Sequence, residues 1–288
     1  MKQLLMWLIL VVPFCLIGQH NLMTYNIRLG SVDDGPNHWD KRKEHLLALM
    51  DYYDAGIMGL QEAQLFQLEY ITKGLKGHVY TGKPRTTDVN AEYSCILYDT
   101  LLYTASDAAT IWLSPTPDVQ STGWDAALPR IASYAFFEHK QTKDRFWVIN
   151  THLDHKGEVA RFESAKMLTA LAQKLFSQKP FSVFLMGDFN ARPEENTIQQ
   201  IKTIFADCRE FCITPAYGGP DTWNGFDFDK VPDGRIDYIF IYDARARMRI
   251  YKHRTIMDHY DHKYPSDHFP VMIQCGVFVP PSRKNSLW

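Results

Sequence analysis

Eight apolar runs punctuate the chain, and most of them stop abruptly at a polar or charged side chain. They span 20–29 ("HNLMTYNIRL"), 55–63, 91–99, 130–138, 145–153, 182–190 ("SVFLMGDFN"), 235–242 and 269–279 ("FPVMIQCGVFV"). Their length and their content of Val, Ile, Phe and Tyr predict strands. Several are too apolar to leave one face in water, so helices are expected to cover them. Helical spacing follows in 39–54, where Leu46, Leu49, Met50 and Tyr53 recur. It returns in 159–177 with Phe162, Ala165, Leu168, Leu171, Ala172 and Leu175. Segments 64–75 and 194–205 are shorter helix candidates, the second opened by Pro193, Glu194 and Glu195. Strands and helices mix without strict alternation, which argues against a barrel of repeating βα units. The expected fold is α/β (α+β): a four-layer sandwich of two mixed β-sheets packed face to face and flanked by helices.

No linker, internal repeat or low-complexity tract divides the chain, so a single domain over 20–279 is expected, followed by a tail, 280–288 ("PPSRKNSLW"). The first 19 residues carry one charge, Lys2, and an uncharged stretch from Leu4 to Gly18 interrupted by Pro13. That run is short for a membrane span. It reads as a secretory signal cleaved near Gly18 or Gln19, implying a secreted or periplasmic protein. Loss of Lys2 would leave 30 basic against 33 acidic residues. No extended basic surface for bulk duplex DNA follows from that balance. Of the remaining cysteines, Cys95 and Cys275 lie in strand-like runs and read as buried thiols, whereas pairing of Cys208 with Cys212 is left open.

The polar residues at the run ends carry the chemistry. They include Asn26 in "TYNIR", Glu62 in "LQE", and Asn150 and His152 in "NTHLDH". Asp188 and Asn190 follow in "GDFNARP", Asp237 in "RIDYIF", and Asp267 and His268 in "SDHFPV". Asp188 and Asn190 are two apart, so an extended chain would point both the same way. On that stretch alone an Asp/Asn turn is the simpler account of the pair. Asp237 is flanked by Ile236 and Tyr238, and a buried carboxylate there is costly unless paired. Oxygen ligands, paired carboxylates and two histidines are the ingredients of hydrolysis assisted by a hard cation.

These six motifs, in this order, resemble the endonuclease/exonuclease/phosphatase superfamily, and the resemblance covers roughly residues 20 to 275. It implies a phosphoester hydrolase, most naturally of phosphodiesters, using direct attack by water on phosphorus. In that scheme Asn26 and Glu62 hold a divalent metal, Mg²⁺ with Mn²⁺ as substitute, and Asp267 lies beside it. Asp188 orients or deprotonates the water, with Asn190 holding Asp188 or the phosphate. His268 contacts the phosphate, and Asp237 fixes its tautomer. His152 is a second active-site histidine, supported by Glu92; Asn150 shapes the site and Arg130 binds phosphate.

The motifs report ester cleavage and leave the attached group open: a nucleotide, nucleic acid, phospholipid headgroup or sugar phosphate. Long loops at 116–130 and 217–235 carry Trp124, Trp223, Phe226 and Phe228, available to stack on a base or sugar or to pack locally. "MDHYDHKYPSDH" (257–268) adds His259 and His262, read as a solvated loop in preference to a further metal site. A nuclease acting on short or single-stranded nucleic acid is one alternative. A binding protein that kept the fold without the chemistry is another, and the completeness of the polar set speaks against it.

Overall fold

A computed structural model describes residues 19–278; the expected leader, apart from Gln19, and the expected tail lie outside the described residues. Twelve strands form two six-stranded mixed sheets. The first has the order β11-β12-β1-β2-β4-β3 and comprises β1 (His20–Asn26), β2 (Ile57–Gln64), β3 (His78–Thr81), β4 (Glu92–Asp99), β11 (Met248–Thr255) and β12 (Val271–Val277). The second, β5-β6-β7-β8-β10-β9, comprises β5 (Tyr103–Trp112), β6 (Ile131–His139), β7 (Arg145–His152), β8 (Val183–Asp188), β9 (Ala206–Asp207) and β10 (Asp237–Tyr242). The principal helices are α1 (Trp39–Tyr53), α2 (Leu65–Gly74), α3 (Glu158–Gln178) and α4 (Asn196–Ile201). No helix among the described residues is long and apolar enough to cross a membrane.

Side chains alternate across each strand, so each sheet has two apolar faces to cover. Leu22, Ile57 and Ile96 of the first sheet meet Phe137, Val148, Phe184 and Met186 of the second in the central layer. On the outer face of the first sheet, Met23, Tyr25, Met58 and Leu60 pack with Leu46, Met50, Leu68 and Ile71 of α1 and α2. Beyond the second sheet, Trp147, Ile149, Leu185 and Phe240 pack with Leu168, Leu171 and Leu175 of α3. This is the expected four-layer sandwich. Double coverage explains why the central strands read as continuous apolar runs.

The four strands absent from the hydrophobic pattern, β3, β5, β9 and β11, are the four sheet edges. Edge strands are half exposed and carry polar side chains, as in "MRIYKHRT" of β11. The cysteines Cys95, Cys208, Cys212 and Cys275 are all free, and Cys212 donates its thiol to Arg209 O, so no local disulfide closes there.

Strand direction gathers the motifs. β1 runs parallel to β2, and β7 parallel to β8, so their carboxyl ends share one rim. β4, β6, β10 and β12 run antiparallel to these neighbours, so their starts reach the same rim. That geometry explains why Asn26, Glu62, His152 and Asp188 close apolar runs, whereas Glu92, Arg130, Asp237 and His268 precede or open them.

Candidate active site

A cleft of about 580 Å³ opens at this rim, and Glu62, His152, Asp188, Asn190, Asp267 and His268 all line it, with Arg28, Arg85, Glu92, Arg130 and Trp223. Its floor on the second sheet is a single cross-strand row. His152 of β7 is in register with Asp188 of β8, which is in register with Asp237 of β10. The close approach of β7 and β8 there requires Gly187. Its φ is +147°, and a Cβ would fall 2.0 Å from Thr151 O.

Asp188 is buried and held at both oxygens. Oδ1 accepts the Asn190 backbone N–H at 2.9 Å, and Oδ2 accepts Asn26 Nδ2 at 3.0 Å, a bond that crosses between the sheets. Burial and the facing carboxylate of Asp237 raise its pKa well above the ordinary aspartate value. Asn190 does not share a strand face with Asp188. β8 ends at Asp188, and Asn190 takes the left-handed conformation, φ 46°, which asparagine tolerates. Its backbone therefore folds back onto Asp188, while Nδ2 donates to Leu153 O at 3.0 Å and lies 3.1 Å from His152 Nε2.

His268 pairs through Nδ1 with Asp237 Oδ2 at 2.9 Å, and the same oxygen accepts Thr222 Oγ1 at 2.6 Å. This supplies the partner that a carboxylate among Ile236 and Tyr238 needs. Burial alone would lower the pKa of His268, but Asp237 and Asp188 outweigh it and hold the value well above the ordinary range. His152 behaves oppositely. Burial first, then Arg130 and Arg85, push its pKa well down, so its 3.4 Å approach to Asp188 Oδ2 is a contact with neutral imidazole and not an ion pair.

The first sheet supplies the other wall. Asn26 Nδ2 also donates to Glu62 Oε1 at 3.2 Å, and Glu62 Oε2 accepts the Leu29 N–H at 3.0 Å. Glu62 sits at an irregularity of β2 with φ 57°, a conformation costing about 1 kcal/mol or more for such a residue. The Arg28 guanidinium approaches Glu62 at 4.0 Å and Asp267 at 3.8 Å, although Asp34 already engages it twice. Arg42, fully buried, ties the loops together by donating to Ile27 O, Arg28 O and Pro265 O. Nothing in the hydrophobic pattern singled it out.

Two further placements differ from expectation. Glu92 forms an ion pair with Arg85 instead of supporting His152; both line the cleft, and the nearby guanidinium is the stronger partner for a buried carboxylate. Asn150 stands behind the cleft, fully buried. It donates to Leu60 O and Cys95 O and accepts Gln61 Nε2, so it ties the sheets together. Arg130 does line the cleft, 5% exposed, with Nε on Asp154 Oδ2 at 3.2 Å. Of the loop aromatics, Trp223 lines the cleft, Phe226 lies under Arg42 and Phe228 packs against His259, His262 and Tyr264.

The donors suit a hard divalent cation. Glu62, Asp188, Asp237 and Asp267 put four carboxylates at one rim with a protonated His268 and an Arg28 already engaged by Asp34, while Arg85 and Arg130 line the same cleft paired with Glu92 and Asp154. Asn26, Glu62 and Asp267 offer oxygen atoms, the preference of Mg²⁺. Ligand atoms of Asp188, Asp237 and His268 also lie within 4.8 Å of one another. In that set, however, His268 Nδ1 and Asp237 Oδ2 are committed to each other.

Acid, amide and histidine groups thus converge at one rim of an α/β/β/α sandwich. Residues 23–268 match the Endonuclease/Exonuclease/phosphatase family, and the chain belongs to that family. It is 32% identical to an endonuclease/exonuclease/phosphatase family protein from Bacteroides thetaiotaomicron, with a TM-score of 0.85 over 91% of this chain and 96% of that one. It is likewise 32% identical to a mannosyl-6-phosphatase of Bacteroides thetaiotaomicron, with a TM-score of 0.84 over 89% of this chain and 99% of that one. Among curated proteins, an uncharacterized protein of Acanthamoeba polyphaga mimivirus is 28% identical over 162 residues; the match spans 53% of this chain and 59% of that protein's length.

Proposed function

We propose that this chain is a divalent-cation-dependent phosphoester hydrolase that drives direct attack of water on phosphorus. The observation that carries the reading is the His152–Asp188–Asp237 row, with His268, at a cleft whose other wall presents Glu62 and Asp267, Asn26 lying buried behind them and bonded to both Glu62 and Asp188. Phosphoryl transfer needs alignment and charge neutralisation more than covalent chemistry. A cation held by Asn26, Glu62 and Asp267, magnesium or manganese, would neutralise charge on the phosphoryl oxygens. Asp188, its basicity raised by burial, accepts the proton of the attacking water. His268, kept protonated by Asp237, presents Nε2–H to a phosphoryl oxygen, and Asn190 holds Asp188 in place through its backbone N–H.

The phosphodiester expected from the motifs and a phosphomonoester both suit this machinery. Similarity to a mannosyl-6-phosphatase along nearly the whole of that protein favours a small sugar phosphate. Trp223 in the cleft offers a ring face to such a group. Hydrolysis of mannose 6-phosphate, p-nitrophenyl phosphate and bis-p-nitrophenyl phosphate, each with Mg²⁺ or Mn²⁺ and again with EDTA, tests the reading. Turnover abolished by the chelator is expected. Absence of cation-dependent turnover on all three and on a wider ester panel would replace it with a binding function.

A further inference from the structure

Arg85 was not marked by any motif, yet its surroundings are built with care. Its backbone N–H donates to Glu92 O at 2.9 Å, its carbonyl accepts Trp112 Nε1 at 2.9 Å, and the preceding Pro84 bridges to Tyr93. The residue is thereby fixed at the entrance to β4, and its side chain lies in the cleft beside Glu92 with 13% exposure. Arg130, entering β6, lies in the same cleft, with Nη2 3.1 Å from His155 Nδ1. Arg85 and Arg130, each with little exposed side chain, thus line the same cleft as Arg28 and Arg192.

The two are neutralised unequally: Glu92 pairs directly with Arg85, whereas Arg130 shares its carboxylate partner. Asp154 accepts four backbone N–H groups, from Ala127, Leu128, Lys156 and Gly157, besides Arg130. Its charge is spread over five donors, and Arg130 keeps a positive field. That field reaches His152 and His155, whose proton affinities fall through burial first and Arg130 next. The two guanidinium groups repel each other even so, since Arg130 is among the causes, after burial, that lower the proton affinity of Arg85; an anion shared between them would relieve that. A phosphodiester brings one negative charge, whereas a phosphomonoester brings up to two. The cation that Asn26, Glu62 and Asp267 would hold would meet the attacked face, which leaves Arg85 and Arg130 for the additional charge.

We propose that Arg85 and Arg130 form a two-guanidinium clamp for the second negative charge of a phosphomonoester, so that the cleft selects monoesters and free phosphate over diesters. The selectivity for esters rests on the hydrolase reading above; the selectivity for phosphate stands without it.

The full chain is titrated calorimetrically with inorganic phosphate and with dimethyl phosphate at pH 8, in buffer free of divalent cations. The wild type is expected to favour phosphate by about tenfold or more, and Arg85→Met and Arg130→Met to shrink that preference to about threefold or less, on the scale of charge-assisted hydrogen bonds. Arg85→Gln, which retains hydrogen bonding to Glu92 without the charge, gives the same reading if the methionine variant fails to fold. A wild type without preference, or variants that keep it, overturns the clamp. In parallel, kcat/KM is measured on p-nitrophenyl phosphate and its bis ester with Mg²⁺. Both rates are expected to fall in the variants, the monoester's by about tenfold more. Selective phosphate binding without hydrolysis of either ester would sink the hydrolase reading and leave the clamp standing. Hydrolysis with selectivity indifferent to Arg85 and Arg130 would do the reverse.

Discussion

His152 and His268 are each 6% exposed, and both approach the same oxygen of Asp188, at 3.4 and 3.8 Å. Burial pushes both toward the neutral form, yet they end with opposite charge. His152 faces Arg130 and Arg85 and is held neutral; His268 faces Asp237 and Asp188 and is held protonated. Equal desolvation therefore does not decide the state of a buried histidine; its neighbours do. The consequence is an asymmetric Asp188, with a proton donor on one side and a neutral ring on the other. On the proposed reading, that asymmetry gives an attacking water a base and the phosphoryl group a donor within one row of residues.

The most drastic way to break this contrast is to remove the group both rings share. Asp188→Asn keeps the shape and removes the base, and should cut kcat by about 100-fold or more. Asp237→Asn removes the charge that keeps His268 protonated, and about 10-fold to 100-fold is expected, with His152 titrating somewhat higher because the His268 charge is among the causes that depress it. Steady-state kinetics on whichever ester the wild type cleaves reads both. Near-normal turnover in Asp188→Asn would strip that residue of its role.

Glu62→Gln tests the opposite wall. One carboxylate fewer should raise the Mg²⁺ concentration for half-maximal activity by about tenfold or more, with a smaller change at saturation. A variant with unaltered cation dependence would move the cation away from Asn26, Glu62 and Asp267, toward the set formed by Asp188, Asp237 and His268.

The two walls also differ in how much of them the amino-acid order discloses. The central strands were legible because both their faces are buried, and their polar ends stood out against apolar runs. Edge strands such as β5, "YTASDAATIW", alternate small and polar groups in solvent and leave no such contrast. At the site, Asp237 was legible because a carboxylate in a buried strand demands a partner, and His268 is that partner. Arg85 was not, because an arginine in a polar loop looks solvated until the fold brings it against Glu92 and Arg130. Asn190 was placed on the wrong geometry for a local reason. Spacing of two implies a shared strand face, whereas the strand stops at Asp188 and a left-handed residue makes the return.

A histidine outside the cleft sharpens the comparison with a smaller effect. His253 of β11 is 2% exposed, neither ring nitrogen has a hydrogen-bond partner, and burial, then Arg235 and Arg209, lower its pKa to about 3. Such a group stays neutral in the folded chain while the unfolded chain takes up a proton below about pH 6.5, so stability falls as pH drops from there toward 3. His253→Leu should spare about 2 kcal/mol of the loss between pH 7.5 and pH 5, read by urea unfolding at both values. An identical acid loss in the variant would mean that His253 is already relieved by water.

The smallest expected effect distinguishes burial from neighbours at His152 itself. His253 and His152 are both depressed, with burial the largest cause in each, but His152 adds two cleft arginines. Arg130→Met leaves the burial and removes one charge. His152 should then titrate at higher pH than in the wild type while remaining below its ordinary value, because Arg85 and desolvation persist. The ring resonances of His152 in an NMR titration report this directly, with those of His253 as the internal reference. If both histidines titrate unchanged, desolvation alone sets His152, and the arginine wall loses its claim to control the charge on Asp188's neutral side.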